Sequence, residues 1–221
     1  MKGQNYIKST SSIFCFLALF AALVACNQKD EQQFDMILSS ESGIDFVNKV
    51  VDSMDANILD YPYFYNGSGV SVGDINNDSL PDLFFTSNQQ KNALYLNKGN
   101  LKFKNITEEA GVGGHSDWNT GSVMADVNGD GFLDIYVMAI VGICGFEGRN
   151  ELFINQGNGT FKEEARKYGL DFDTYSESAA FFDFDKDGDL DMYLVNLAVH
   201  SKNYYVPATP PDQRTMNQAT G

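Results

Sequence analysis

DFDKDGDLDMYLV (Asp183–Val195) is the stretch that decides how this chain is read. Aspartate fills positions 1, 3, 5, 7 and 9 of a nine-residue loop, and the apolar run Met192-Tyr193-Leu194-Val195 follows at once. The loop occurs twice more in the same register, as DINNDSLPD (Asp74–Asp82) before LFFT and as DVNGDGFLD (Asp126–Asp134) before IYVM. Every copy has Asp or Asn at positions 1, 3 and 5 and Asp at position 9. So many carboxylate and amide oxygens in a short loop suit a hard cation. Ca²⁺ takes about six to eight oxygen ligands, whereas Mg²⁺ wants a tighter octahedron and keeps its waters. Without a cation, like charges at about 4 Å repel by roughly 1 kcal/mol in water and roughly 4 at an effective dielectric of 20. A solvated acidic turn explains one such loop; three in register favour the cation.

The residues around the loops fit a helix–loop–helix calcium site poorly. Such a site needs a bidentate Glu at position 12, and Phe85, Val137 and Leu194 stand there. Before the first loop, Val70 and Val72 alternate with Ser71 and Gly73, a period of two that reads as strand. Each acidic loop therefore joins two strands. Further on, NALYLNKGNLKFKNITEEAGV (Asn92–Val112) aligns without gaps to NELFINQGNGTFKEEARKYGL (Asn150–Leu170), with eight of 21 positions identical. Lys98-Gly99-Asn100 and Gln156–Gly159 read as tight hairpin turns. Thr107 is expected to cap a short helical turn that Gly111 ends. The loops recur after 52 and then 57 residues, and the excess belongs to an insertion around Ile140–Gly148. One unit is strand, acidic loop, strand, connection, strand, Gly turn, strand. The predicted fold is all-β, with propeller blades of four antiparallel strands; an open sandwich of the same strands is the second architecture.

The loops with their small-apolar lead-ins, together with LYLNKGN and LFINQGNGTF, resemble the FG-GAP/VCBS repeat family of integrin-α-like propellers. SSESGIDFVNKV (Ser39–Val50) and YFYNGSGVSVGDINNDSLPDLFFTSN (Tyr63–Asn88) are similar to its bacterial lipoprotein branch, which is related to ASPIC/UnbV-containing and cartilage acidic proteins. The resemblance implies a propeller over residues 43–203, about three repeats with the third incomplete, whose loops bind Ca²⁺. Carried over position by position, the side-chain ligands are Asp74, Asn76, Asp78 and Asp82, then Asp126, Asn128, Asp130 and Asp134, then Asp183, Asp185, Asp187 and Asp191. Leu80, Phe132 and Asp189 are the implied backbone-carbonyl ligands at position 7. The first loop departs from the pattern, with Ser79 where the others have Gly131 and Gly188. A positive φ at that place is costlier for Ser, so the first site is expected to be the weakest and the third the strongest.

Residues 1–25 read as an export leader: Lys2 and Lys8, then an apolar run from Ile13 to Val24, too short to span a bilayer. Leu23-Val24-Ala25-Cys26 resembles a bacterial lipobox, which makes Cys26 the lipidation site. Residues 26–42 read as a charged tether, and Asn27–Glu31 is similar to an acidic surface-export signal. The chain is thus expected to be an outer-membrane or cell-surface lipoprotein that meets the membrane through its anchor alone. Cys15 lies in the leader, so Cys144 is left without a partner for a disulfide. Residues 204–221 are polar and Pro-containing, and the third unit's hairpin does not appear before them; a longer protein is expected. A net charge of −15 argues against nucleic acid.

His115 and His200 accompany no nucleophile motif, and the sequence has no G-x-S-x-G, H-E-x-x-H or phosphate-cradling glycine loop. Trp118 reads as a residue buried between units, with a sugar-stacking face shared with Tyr61, Tyr63, Phe64 and Tyr65 as the alternative. The function expected is a non-enzymatic module that binds an extracellular protein or glycan. The alternative is the N-terminal part of an exported carbohydrate-active enzyme or its accessory, with catalysis outside this segment.

Overall fold

A computed structural model of the protein describes residues 34–197. The export leader, Cys26, His200 and the segment 204–221 lie outside the described residues. From Leu38 onward the described chain forms one unit.

The first sheet is a meander of β1 (Val70–Gly73), β2 (Asp82–Phe85), β3 (Ala93–Asn97) and β4 (Phe103–Asn105), each antiparallel to the next. The short helix α2 (Thr107–Ala110) follows it, and α1 (Ser39–Ser42) precedes it. The second sheet repeats the order with β5 (Asn119–Ala125), β6 (Asp134–Ala139), β7 (Glu151–Asn155) and β8 (Phe161–Glu163), followed by α3 (Ala165–Tyr168). A third pair, β9 (Ser176–Phe182) with β10 (Asp191–Asn196), begins another unit. The acidic loops are the β1–β2, β5–β6 and β9–β10 turns, closed by the pairs Gly73↔Asp82, Ala125↔Asp134 and Phe182↔Asp191. This is an incomplete, propeller-like all-β fold.

Period-two patterning decides which faces meet. Phe84 and Leu94 of the first sheet, with Ile106 and Val112, pack on Ile135, Val137 and Phe153 of the second. The other face of the second sheet (Tyr136, Met138, Leu152 and Ile154) packs on Ala179, Phe181, Met192 and Leu194 of the third. β6 and β7 are consequently buried along their whole length. Burying each such large apolar side chain contributes about 1.5–3 kcal/mol.

The first strands of the units lie side by side without a backbone ladder, and hydroxyls bridge them. Ser68 Oγ donates to Asn119 O at 2.9 Å, and Thr120 Oγ1 repeats the bond one unit later to Ser176 O at 2.7 Å. The strands come close because glycine permits it: a Cβ on Gly69 would sit 2.8 Å from Gly121 Cα. Backbone cannot swing aside as a side chain does, so Gly69→Ala is expected to destabilise the protein by about 1–3 kcal/mol. Urea denaturation measures this; an unchanged midpoint would contradict the close approach.

Two features were not legible beforehand. Residues 43–50 run extended over the first sheet with alternating exposure. Phe46 stacks on Phe85 at 5.1 Å, and Tyr95 Oη donates to Asp45 Oδ1 at 2.6 Å. The side chains of Gln89 and Gln90 bind the strap's backbone at Val51 and Lys49. The expected cap at Thr107 takes a different form. Asn105 Oδ1 accepts the Thr107 N–H at 3.0 Å, and the Thr107 hydroxyl accepts Leu94 N–H at 2.8 Å, tying α2 to β3. Gly111 does end the helix, at φ 75°.

The insertion Ile140–Gly148 has a packing role. Phe146 stacks on Trp118 with ring centres 4.5 Å apart, and Tyr61, Phe64 and Ile140 complete an enclosed cluster. Trp118 is 1% exposed, while Tyr63 and Tyr65 face solvent. Cys144 is half-buried at the margin of this cluster.

Candidate metal centres

The first two acidic loops share most of their hydrogen bonds. The position-5 N–H groups of Asp78 and Asp130 reach Oδ1 of Asp74 and Asp126 at 3.1 and 3.0 Å, and Oδ1 of Asn76 and Asn128 at 3.1 and 3.0 Å. Ser79 and Gly131 donate to Oδ2 of the same position-1 aspartates at 2.7 and 2.8 Å. Leu80 and Phe132, at position 7, donate to Asp78 and Asp130 at 2.9 Å in both loops. These bonds bring Oδ1 of positions 1 and 3 together over the position-5 N–H, and the Asn76 and Asn128 amides donate to Oδ2 of Asp78 and Asp130 at 3.1 and 2.9 Å. The position-6 residue takes positive φ in every loop: 68° at Ser79, 88° at Gly131 and 100° at Gly188. For Ser79 that conformation costs about 1–2 kcal/mol.

The third loop brings ligand oxygens of Asp183, Asp185 and Asp187 within 4.8 Å of one another. Among the described residues no other three acid, His or Cys side chains converge so; the sister loops have Asn at the middle place. The crowding has an electrostatic consequence. Burial and the charge of Asp187 push the Asp185 carboxyl up, and the hydrogen bond and charge of Asp187 do the same to Asp189. Asp189 N–H donates to Asp187 at 3.2 Å, as its counterparts at position 7 do.

The position-9 aspartates sit apart from the rest. Asp82 and Asp134 are fully buried beneath their loops. Each spends one oxygen on the N–H at position 2 (Ile75 at 3.1 Å, Val127 at 3.0 Å) and the other on a hairpin residue (Asn97 at 2.7 Å, Asn155 at 2.8 Å). Asp191 makes the first of these bonds, to Phe184 N–H at 2.9 Å. Burial pushes the Asp134 carboxyl up to about 6; the N–H donors of Asn155 and Val127 pull the other way, and Asp130 and Asp126 add to the push. Asp82 is raised for the same reasons, burial first. These aspartates fasten loop to hairpin. A carboxylate oxygen that accepts one N–H keeps a lone pair, so the bond does not disqualify them as ligands.

The donor set fits a hard cation. The side chains at positions 1, 3, 5 and 9 offer carboxylate and amide oxygens, with no sulfur or imidazole, which suits Ca²⁺ or Mg²⁺ over a softer metal. Sequence reasoning missed Asn77, Asn97 and Asn155 as parts of this apparatus. The signal for two of them was present, since Asn97 and Asn155 occupy the same place in the aligned hairpins.

His115, at the opposite end of the strands, lies with Nδ1 3.0 Å from Glu151 Oε1, and its N–H also donates to that carboxylate. Glu151 is buried; burial raises its carboxyl, and His115 opposes the rise.

Comparison with known proteins agrees with the repeat pattern. The sequence profile of the FG-GAP-like repeat matches residues 74–137 and 139–194, more than half of the chain. Over 139 residues the chain is 30% identical to cartilage acidic protein 1 of Xenopus tropicalis, covering 61% of this chain and 20% of that protein. It is 31% identical over 141 residues to cartilage acidic protein 1 of Mus musculus, covering 62% and 21%. For the Homo sapiens protein it is 29% identical over 144 residues, covering 63% and 21%. The chain spans about a fifth of the length of the curated relatives it matches.

Proposed function

The chain belongs to the FG-GAP-like repeat family, and from that premise we propose that it is a calcium-stabilised, lipid-anchored surface module that binds a protein or glycan and catalyses nothing. The observation that carries the calcium part is the third loop's converging aspartates, in a loop whose first two copies share a ladder that gathers Oδ1 of positions 1 and 3. Asp74, Asn76 and Asp78, then Asp126, Asn128 and Asp130, then Asp183, Asp185 and Asp187 would hold the ions. Asp82, Asp134 and Asp191 sit below them, and the carbonyls of Leu80, Phe132 and Asp189 complete the set. The ion would supply charge neutralisation and rigidity, and the residues do the positioning. A melting temperature indifferent to calcium sinks this reading.

The anchoring rests on Leu23-Val24-Ala25-Cys26 behind a basic and apolar leader. Cys26→Ala is expected to abolish incorporation of labelled fatty acid and to release the protein from membranes; label that persists puts the anchor elsewhere. The binding role rests on the repeat architecture, with its stacked four-stranded sheets. A glycan array and an extracellular-protein array, read for binding without turnover, distinguish the two ligand classes.

A further inference from the structure

We propose that Asn155 is a positioning residue that couples the first two acidic loops, so that a cation in one favours a cation in the other; this rests on the calcium reading of those loops. The basis is a buried relay between the two position-9 aspartates. Asp134 Oδ1 accepts Asn155 N–H at 2.8 Å. The Asn155 amide donates across the unit boundary to Ile75 O at 2.8 Å, and to Leu133 O at 3.1 Å. Ile75 N–H then donates to Asp82 Oδ2 at 3.1 Å. Asp82, Asp134, Asn155 and Ile75 are each no more than 3% exposed, so water does not compete for these bonds. A second link runs over the surface, where Asn77 Nδ2 donates to Gly131 O at 3.0 Å. Ile75 and Asn77 flank position 3 of the first loop, and Gly131 is position 6 of the second.

The sign of the coupling follows from these contacts. A cation that orders the second loop fixes Asp134, and through it the Asn155 backbone and amide. That amide then holds Ile75, whose N–H is bound to Asp82. The first loop is ordered before its own cation arrives, and the conformational entropy is lost once for two binding events. Coupling of this kind is reciprocal between the sites. In the second loop Gly129 occupies the place of Asn77, so the surface link has no counterpart toward the third loop.

The test is calorimetric titration of CaCl₂ into the full chain carrying Asp183→Asn and Asp187→Asn, which leaves the first two loops to report. Binding at one loop is expected to tighten binding at the other by about fivefold or more. Asn155→Ala on that background brings the factor close to one, and Asn77→Gly lowers it partway. A merely structural defect would weaken both sites alike and leave the factor in place. If Asn155→Ala does not fold, the exposed Asn77→Gly variant decides. A factor unchanged in the folded variants, or near one in the parent, overturns the coupling while the calcium reading stands. No calcium binding in the chain with its natural aspartates overturns both.

Discussion

Chelating calcium is expected to lower the melting temperature of the full chain by about 5–10 °C for each site that is lost, and adding calcium back to restore it. The size follows from mass action. A ligand that binds only the folded state at a hundredfold excess over its dissociation constant stabilises by about 2.7 kcal/mol. For a chain of this length each kcal/mol moves the melting temperature by about 2–4 °C. The direction follows from the loops, where carboxylates that crowd one another in the folded state are relieved by a divalent charge. Asp78→Asn, Asp130→Asn and Asp187→Asn, made singly, should each remove part of the calcium-dependent shift. The first variant should remove the least, because Ser79 strains its loop. Superimposable melting curves in chelator and in millimolar calcium would end the assignment.

Trp118→Ala is expected to cost about 3–5 kcal/mol of stability, the range found for removing a large buried aromatic. Trp118 is 1% exposed and lies against Phe146, Phe64 and Tyr61, with ring centres 4.5, 4.8 and 6.0 Å away. Those neighbours come from the insertion and from the segment before β1, so three stretches distant in sequence lose their common contact together. Urea unfolding followed by far-ultraviolet circular dichroism, at fixed calcium, gives the loss directly. In the parent protein the same indole, the only one in the chain, should resist quenching by acrylamide until unfolding. A loss below about 1 kcal/mol would put the ring at the surface and revive the sugar-stacking alternative.

The acidic loops and their hairpins were readable because each lies within one unit and recurs in register. Position 6 illustrates this: Gly131 and Gly188 announced a positive φ that Ser79 shares at its own expense. What escaped reading lies between units or far apart in the chain. The Asn155 amide reaches Ile75, 80 residues earlier, and no local periodicity encodes which neighbour a side chain will meet across a boundary. The strap at residues 43–50 escaped for a related reason. Its backbone is held by glutamine side chains 38 and 41 positions away, not by a strand partner. Thr107 starts the helix without capping it, since Asn105 Oδ1 accepts both its N–H and its hydroxyl proton, and the hydroxyl oxygen accepts Leu94 N–H.

The second sheet has a neighbour on each face, and that limits how the gene can be divided. An expression boundary drawn between two units would strip an apolar wall from whichever unit it leaves at the end, in an architecture where solidity is shared between adjacent modules. Single repeats cut from this protein should therefore be poor reagents. Shortened versions are better planned with their boundaries outside the repeats than through the stack.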